Sequence, residues 1–210
     1  MNFKRKIDHI VLAVPNLEEG MKDFENLLGV APKFGGYHTN QGTKNAVLNL
    51  GNQIYLEIIT VDFKNKNISA PRWMGVDLIN IPKITRWSLK SENLNRDSIV
   101  IKNHNNMMGN IHGGQRKMSN GKLLTWEMIL PLAKPEIEVI PFMTDWQNSD
   151  VHPTDSMEEI CQLLDLTVSH PTPELIQPVF DELDVNLNIL KSEITSINIK
   201  IKCPNGIIKI

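Results

Sequence analysis

Apolar residues recur along the chain in three cycles, each passing from strand-like to helix-like spacing. Residues 7–14 (IDHIVLAV) form a short, β-branched apolar run, which predicts a strand buried on at least one face. Pro15 closes it. Asn16 then offers an N-cap with Glu19 three residues on, and Leu17, Met21, Phe24 and Leu28 recur at helical spacing until Gly29 supplies a stop. After a Gly35-Gly36 turn, strands are expected around Tyr37, over residues 44–50, and over residues 53–61 behind a Gly51-Asn52 turn. The predicted order is βαβββ.

Residues 62–82 mix Lys, Asn, Pro and Gly around Trp73 and read as a long connection. The cycle then restarts with a strand over 84–90 (ITRWSLK) and a less regular helix over 91–106. A hairpin follows, with strands over 115–119 and 122–130 flanking Asn120-Gly121, a pair that tolerates the two positive φ values of a type I′ turn. Residues 139–146 supply a fourth strand. In the third cycle a strand over 162–169 leads to Thr172 as N-cap and Pro173 at the first helical position, with Leu175, Val179 and Leu183 marking a helix face. Ile197, Ile199 and Ile201 alternate with Asn198, Lys200 and Lys202, the pattern of an antiparallel strand with one wet face, and Asn205-Gly206 turns it back. Laid ungapped on residues 9–30, residues 164–185 repeat strand, proline turn and helix. The organisation expected is a first module over 5–61, a second over 84–148, and an extension over 160–210 packed on the same domain.

Composition narrows the class. Apolar residues at 41% and charged residues at 22% are ordinary globular usage. A net charge of −2 and the lack of a basic run interleaved with aromatics argue against nucleic acid as a partner. The basic opening is followed by an apolar run that Asp8 and His9 interrupt, and no run approaches the roughly 20 apolar residues that span a bilayer. A cytoplasmic protein without a membrane partner is therefore expected. Cys161 and Cys203, far apart and outside any CxxC motif, read as two reduced thiols. A Walker loop, a GxGxxG after a strand, a GxSxG elbow and an HExxH motif are all missing, which removes phosphate-loop, Rossmann, serine-hydrolase and zincin readings.

Several segments carry a likeness beyond periodicity: DHIVLAVPNLEEG (8–20), GTKN (42–45), YLEII (55–59), GGQR (113–116), NGKLLTW (120–126), and PFMTDW (141–146) with the following His152-Pro153. Over about residues 5–155 the chain resembles the glyoxalase-like branch of the vicinal-oxygen-chelate superfamily. The resemblance implies an α+β fold, with paired βαβββ modules curling one mixed sheet round a small-molecule pocket and a C-terminal βαββ extension. Members of that superfamily include isomerases, lyases, extradiol dioxygenases and antibiotic-binding proteins, so fold does not fix the reaction. The resemblance further implies a small-molecule ligand, either a divalent metal (Fe, Mn, Ni or Zn) or none, and it allows a homodimer. His9 and Glu57 match the metal-ligand positions of the first module. The second half departs: Arg86 falls near its first ligand position, and its last strand offers Asp145 but no Glu. His38, Asp145 or His152 would have to complete a metal site.

Read on their own chemistry, the same residues divide between function and structure. A lone strand histidine such as His9 is usually hydrogen-bonded to a neighbour, whereas Glu57 on an apolar strand needs a cation, a donor or a proton. The expected roles are Glu57 as general base or ligand and His9 as ligand or acid. Arg86 and Arg116 are expected to clamp a substrate anion unless structural ion pairs occupy them. Gln115, Trp126 and His38 are expected to line the substrate site, while Trp87 and Trp146 are weighed between pocket and core. His104 and His112 read as surface groups, and His170 as a turn residue. Three functions remain open: a glyoxalase-like enzyme acting on a small oxygen-rich metabolite, by metal-dependent lyase, isomerase or dioxygenase chemistry or by proton transfer at a bare His9/Glu57 pair; a metal-free protein that binds or sequesters a small molecule; and a structural or regulatory protein with a filled pocket.

Overall fold

In the computed structural model the described residues are 5–117, 123–146, 149 and 151–210. The first cycle folds as strand β1 (Ile7–Ala13), helix α1 (Leu17–Leu28), and strands β2 (Lys33–His38), β3 (Thr43–Asn49) and β4 (Tyr55–Val61). The Asn16 side chain accepts hydrogen bonds from the Glu18 and Glu19 amides, a cap that stabilises a helix by about 1 kcal/mol. Gly29 ends the helix at φ 76°, a conformation that carries no steric cost without a Cβ. The predicted Gly35-Gly36 turn is instead part of β2. Gly36, at φ 146°, sits at a register shift against β3, so the glycine pair bends a strand rather than ending it.

The second cycle gives β5 (Lys83–Lys90), α2 (Leu94–His104), β6 (Ile111–Lys117), β7 (Leu123–Ile129) and β8 (Phe142–Asp145). Strand β6 starts four residues before the expected 115, because Gly113 and Gly114 are extended strand residues. The expected turn at Asn120-Gly121 lies outside the described residues. The third cycle gives β9 (Gln162–His170), α3 (Pro173–Glu182), β10 (Leu190–Lys191), β11 (Ser196–Cys203) and β12 (Gly206–Lys209). Leu175 is exposed rather than on the buried face of α3, which is formed by Ile176, Val179 and Phe180 with Leu183 just beyond.

Eight strands form one mixed, curled sheet in the order β2-β3-β4-β1-β5-β8-β7-β6. Within each module the first and last strands pair in parallel, β1 with β4 and β5 with β8, and the modules join where β1 runs antiparallel to β5. The third cycle makes a separate sheet in the order β10-β9-β11-β12. Both faces of the central strands are covered, so every residue of β1 and β4 is buried. Ile10, Leu12, Leu56 and Ile58 point to a large core shared with Phe24 of α1, Ile101 of α2, and Phe180, Leu166 and Ile199 of the third unit. Val11, Ala13, Ile59 and Val61 point the other way, into a smaller cluster with Trp73, Met74, Met128 and Phe142 on the concave side. Among the described residues, no helix is long and apolar enough to cross a membrane.

Candidate functional site

The parallel register of β1 and β4 aligns His9 with Tyr55 and Val11 with Glu57, so His9 and Glu57 stand two residues apart on the same concave face. There they line a cavity of about 40 Å³ with His38, Asn45, Trp73, Met74, Trp126 and Trp146. That is room for a few waters or one small group. Glu57 is its centre. Asn45 Nδ2 donates to Glu57 Oε1 at 2.6 Å, His38 Nε2 lies 3.7 Å from the same oxygen, and His9 Nε2 lies 3.7 Å from Oε2. A carboxylate only 4% exposed is thereby given one firm donor and two imidazoles just beyond hydrogen-bond reach. His38 is oriented from behind by Thr43 Oγ1 at 3.0 Å from Nδ1, and Trp73 Nε1 donates to that same hydroxyl.

His9 is held more tightly. Its ring stacks on Tyr55 with centroids 4.6 Å apart, and its Nδ1 lies 2.5 Å from Asp8 Oδ1. Strict alternation would put adjacent side chains on opposite faces of a strand. The register against β5 slips between Ile7 and His9, however, and this bulge leaves Asp8 as an extra residue whose carboxylate reaches its neighbour's ring. Asp8 is fully buried; its other oxygen accepts from Trp146 Nε1 at 2.7 Å and faces His152 Nε2 at 3.7 Å. Burial alone would push this carboxyl up, but the nearby imidazoles of His152 and His9, the latter hydrogen-bonded to it, outweigh it and hold Asp8 well below the usual carboxylate range. His152 Nε2 is buried without a hydrogen bond, while its Nδ1 meets Thr154 Oγ1 at 2.8 Å.

The segment between the modules, read from sequence as a plain connection, delivers Trp73 and Met74 to the cavity. Met74 takes a left-handed conformation at φ 57°, fixed where its amide donates to Leu132 O and its carbonyl accepts from Thr85 Oγ1. Opposite them, Trp126 lies against Gly114, where any Cβ would overlap the indole. That close approach explains a glycine inside β6. Trp126 and Trp146 tilt against each other at 5.8 Å between ring centroids.

Other expected site residues lie elsewhere. Arg86, expected as an anion clamp, is buried, and its guanidinium donates to the carbonyls of Thr85, Leu132, Pro135 and Glu136. Burial lowers its pKa to about 10, so it stays charged at neutral pH and ties the 132–136 segment to β5. Trp87 belongs to the core, donating to Val139 O and packing on Phe180. Gln115 is exposed on β6 and does not line the cavity; Arg116 pairs with Leu124 in the register, and its side chain lies outside the described residues. Asp145 and His152 face a wider polar groove of about 710 Å³ behind Trp146, where Arg5 and Arg96 are paired with Asp97 and Asp184. Asp8, Asn45, Tyr55, Trp73 and Met74 are among the residues of the site that sequence reasoning missed.

A divalent metal needs its donors close to 2.0–2.2 Å from one point. Among the described residues, no group of three or more His, Cys, Asp and Glu is arranged to do this. The second module lines the cavity with Leu124, Trp126, Met128 and Trp146, none of which is a ligand for such an ion. The donors that line the cavity, His9, His38 and Glu57, thus all come from the first module.

The sequence pattern of the glyoxalase-like domain family matches residues 7–183. Among solved structures, a hypothetical protein from Staphylococcus aureus is 15% identical, with a TM-score of 0.64 over 91% of this chain and 88% of that one. Methylmalonyl-CoA epimerase from Mycobacterium tuberculosis is 14% identical, with a TM-score of 0.39 over 67% of this chain and 87% of that one. A variant of the Streptomyces coelicolor methylmalonyl-CoA epimerase, in complex with 2-nitronate-propionyl-CoA, is also 14% identical, with a TM-score of 0.42 over 70% of this chain and 99% of that one. Among curated proteins, none matches the sequence. With the family pattern running from β1 past α3, and two βαβββ modules curled round one cavity, the chain belongs to the glyoxalase-like domain family of the vicinal-oxygen-chelate superfamily.

Proposed function

We propose that the cavity receives the oxygen-bearing end of a small metabolite and that Glu57, with His9 beside it, exchanges a proton with that molecule without a resident metal. The observation that carries this reading is Glu57 itself. A buried carboxylate is costly unless it is fully paired, and this one has a single close donor, Asn45, on one oxygen, while its other oxygen faces His9 Nε2 across 3.7 Å. Such a gap is where a substrate hydrogen would be received, and a carboxylate and an imidazole are groups able to take and return it.

Deuterium exchange provides the test. Small hydroxy-ketones and hydroxy-acids are incubated with the protein in heavy water, and replacement of carbon-bound hydrogen beside the carbonyl is followed by NMR. The wild-type protein is expected to exchange at least one compound of the panel, with exchange reduced by about 100-fold or more in Glu57→Gln. The melting temperature of that variant should be equal or higher, because a poorly paired buried charge has been removed. A clear fall in melting temperature with exchange intact would make Glu57 structural and end the proposal. Stoichiometric metal in protein purified without an affinity tag would overturn its metal-free part. The second reading, a sequestering protein, is favoured by the indoles of Trp73, Trp126 and Trp146 around the cavity; it predicts binding without exchange.

A further inference from the structure

The 2.5 Å contact between Asp8 Oδ1 and His9 Nδ1 holds one hydrogen, and because an imidazole is a stronger base than a carboxylate that hydrogen belongs to His9 Nδ1. The geometry of Asp8 is determined from three sides: the bulge in β1 turns it towards the ring, Trp146 Nε1 donates to its far oxygen, and complete burial removes water as a competitor. In the neutral ring the hydrogen on Nδ1 leaves Nε2 with a lone pair. That lone pair faces Glu57 Oε2, itself an acceptor, and the buried Asn45 Oδ1 in the same cavity has no hydrogen-bond partner. Two acceptors thus face each other across one small space that Asn45 also lines.

We infer that Asp8 is the positioning residue of this site: by accepting the Nδ1 hydrogen it locks His9 in the tautomer that presents an Nε2 lone pair to the cavity, so that the ligand must bring an O–H or N–H hydrogen to the gap between His9 and Glu57. This rests on the proposed binding role of the cavity for its ligand half and on the protein alone for its tautomer half. It also reverses an expectation from sequence, in which an arginine would have received a substrate anion here. Hydroxyl- or amine-bearing compounds fit the acceptors, and a fully ionised carboxylate or phosphate does not.

Imidazole nitrogen shifts measure the tautomer directly. Protein labelled with nitrogen-15 is recorded at about pH 8, above histidine's ordinary titration range, and the His9 signals are identified by their loss in His9→Gln. The expected result is a protonated Nδ1 and an unprotonated Nε2. In Asp8→Asn, whose amide can donate to Nδ1, the hydrogen should move to Nε2. Hydrogen on Nε2 of the wild-type ring, or an unchanged tautomer in folded Asp8→Asn, would overturn the assignment; the wild-type spectrum keeps it testable even if the variant does not fold. The ligand half is read separately, by titrating unlabelled glycerol and inorganic phosphate and watching the His9 Nε2 resonance. Glycerol is expected to shift it and phosphate to leave it in place; the opposite pattern removes the ligand half and leaves the tautomer standing. Failure of the exchange assay with Glu57→Gln would touch neither spectrum.

Discussion

Arg86 and Glu57 stand level with each other across the sheet, each aligned with Val11 on the strand between them. Two strand spacings separate them, roughly 10 Å. The guanidinium is spent on four main-chain carbonyls, those of Thr85, Leu132, Pro135 and Glu136. Arg86→Lys keeps the charge but loses the planar fork, and should therefore lower unfolding stability by about 2–4 kcal/mol. Chemical denaturation of the two proteins measures this directly. Unchanged stability with altered ligand binding would restore the clamp that the sequence suggested.

Asp8 makes stability depend on acid. Its folded carboxyl titrates below its unfolded value of about 3.9, so its contribution is complete above that value and declines as pH falls through the folded one. The stability difference between wild type and Asp8→Asn should thus shrink as pH falls below about 4. Urea melts at a series of pH values would reveal it. A difference that grows towards acid would contradict the buried, ionised pairing.

Cys161 should be inert in the folded protein. Burial, with a smaller contribution from Cys203, raises its thiol to about 11, which leaves about one molecule in a thousand as thiolate at pH 8. Mass spectrometry after brief alkylation is expected to find Cys161 unmodified in native protein and fully modified in denaturant. Rapid native labelling would show that this end of β9 opens.

Much of the architecture is legible along the chain because local signals agreed with tertiary need. The Asn16 cap, the Leu17 to Leu28 stripe and the Gly29 stop each act within a few residues, and the Ile197, Ile199 and Ile201 alternation reports one buried face directly. The site was less legible for a matching reason. Alternation assigns Asp8 to the face away from His9, and only a bulge, set by pairing with a strand some 80 residues later, brings the two together. Sequence gave Arg86 its charge but not the carbonyls of 132–136 that surround it. Gly113 and Gly114 masked the start of β6 because glycine lowers strand propensity, although Gly114 is there to admit the Trp126 ring. Trp73 and Met74 sat in a stretch whose composition resembled a connection.

Two related modules meet along β1 and β5, yet they furnish the cavity with unlike walls: His9, His38, Asn45 and Glu57 on one side, Leu124, Trp126, Met128 and Trp146 on the other. A molecule bound as proposed would therefore meet a space with a head and a tail, and turning it end for end would set its oily part against a carboxylate and its hydroxyls against indole. On that reading the pseudo-symmetric scaffold is a one-way socket, in which orientation is chosen by the difference between the two modules.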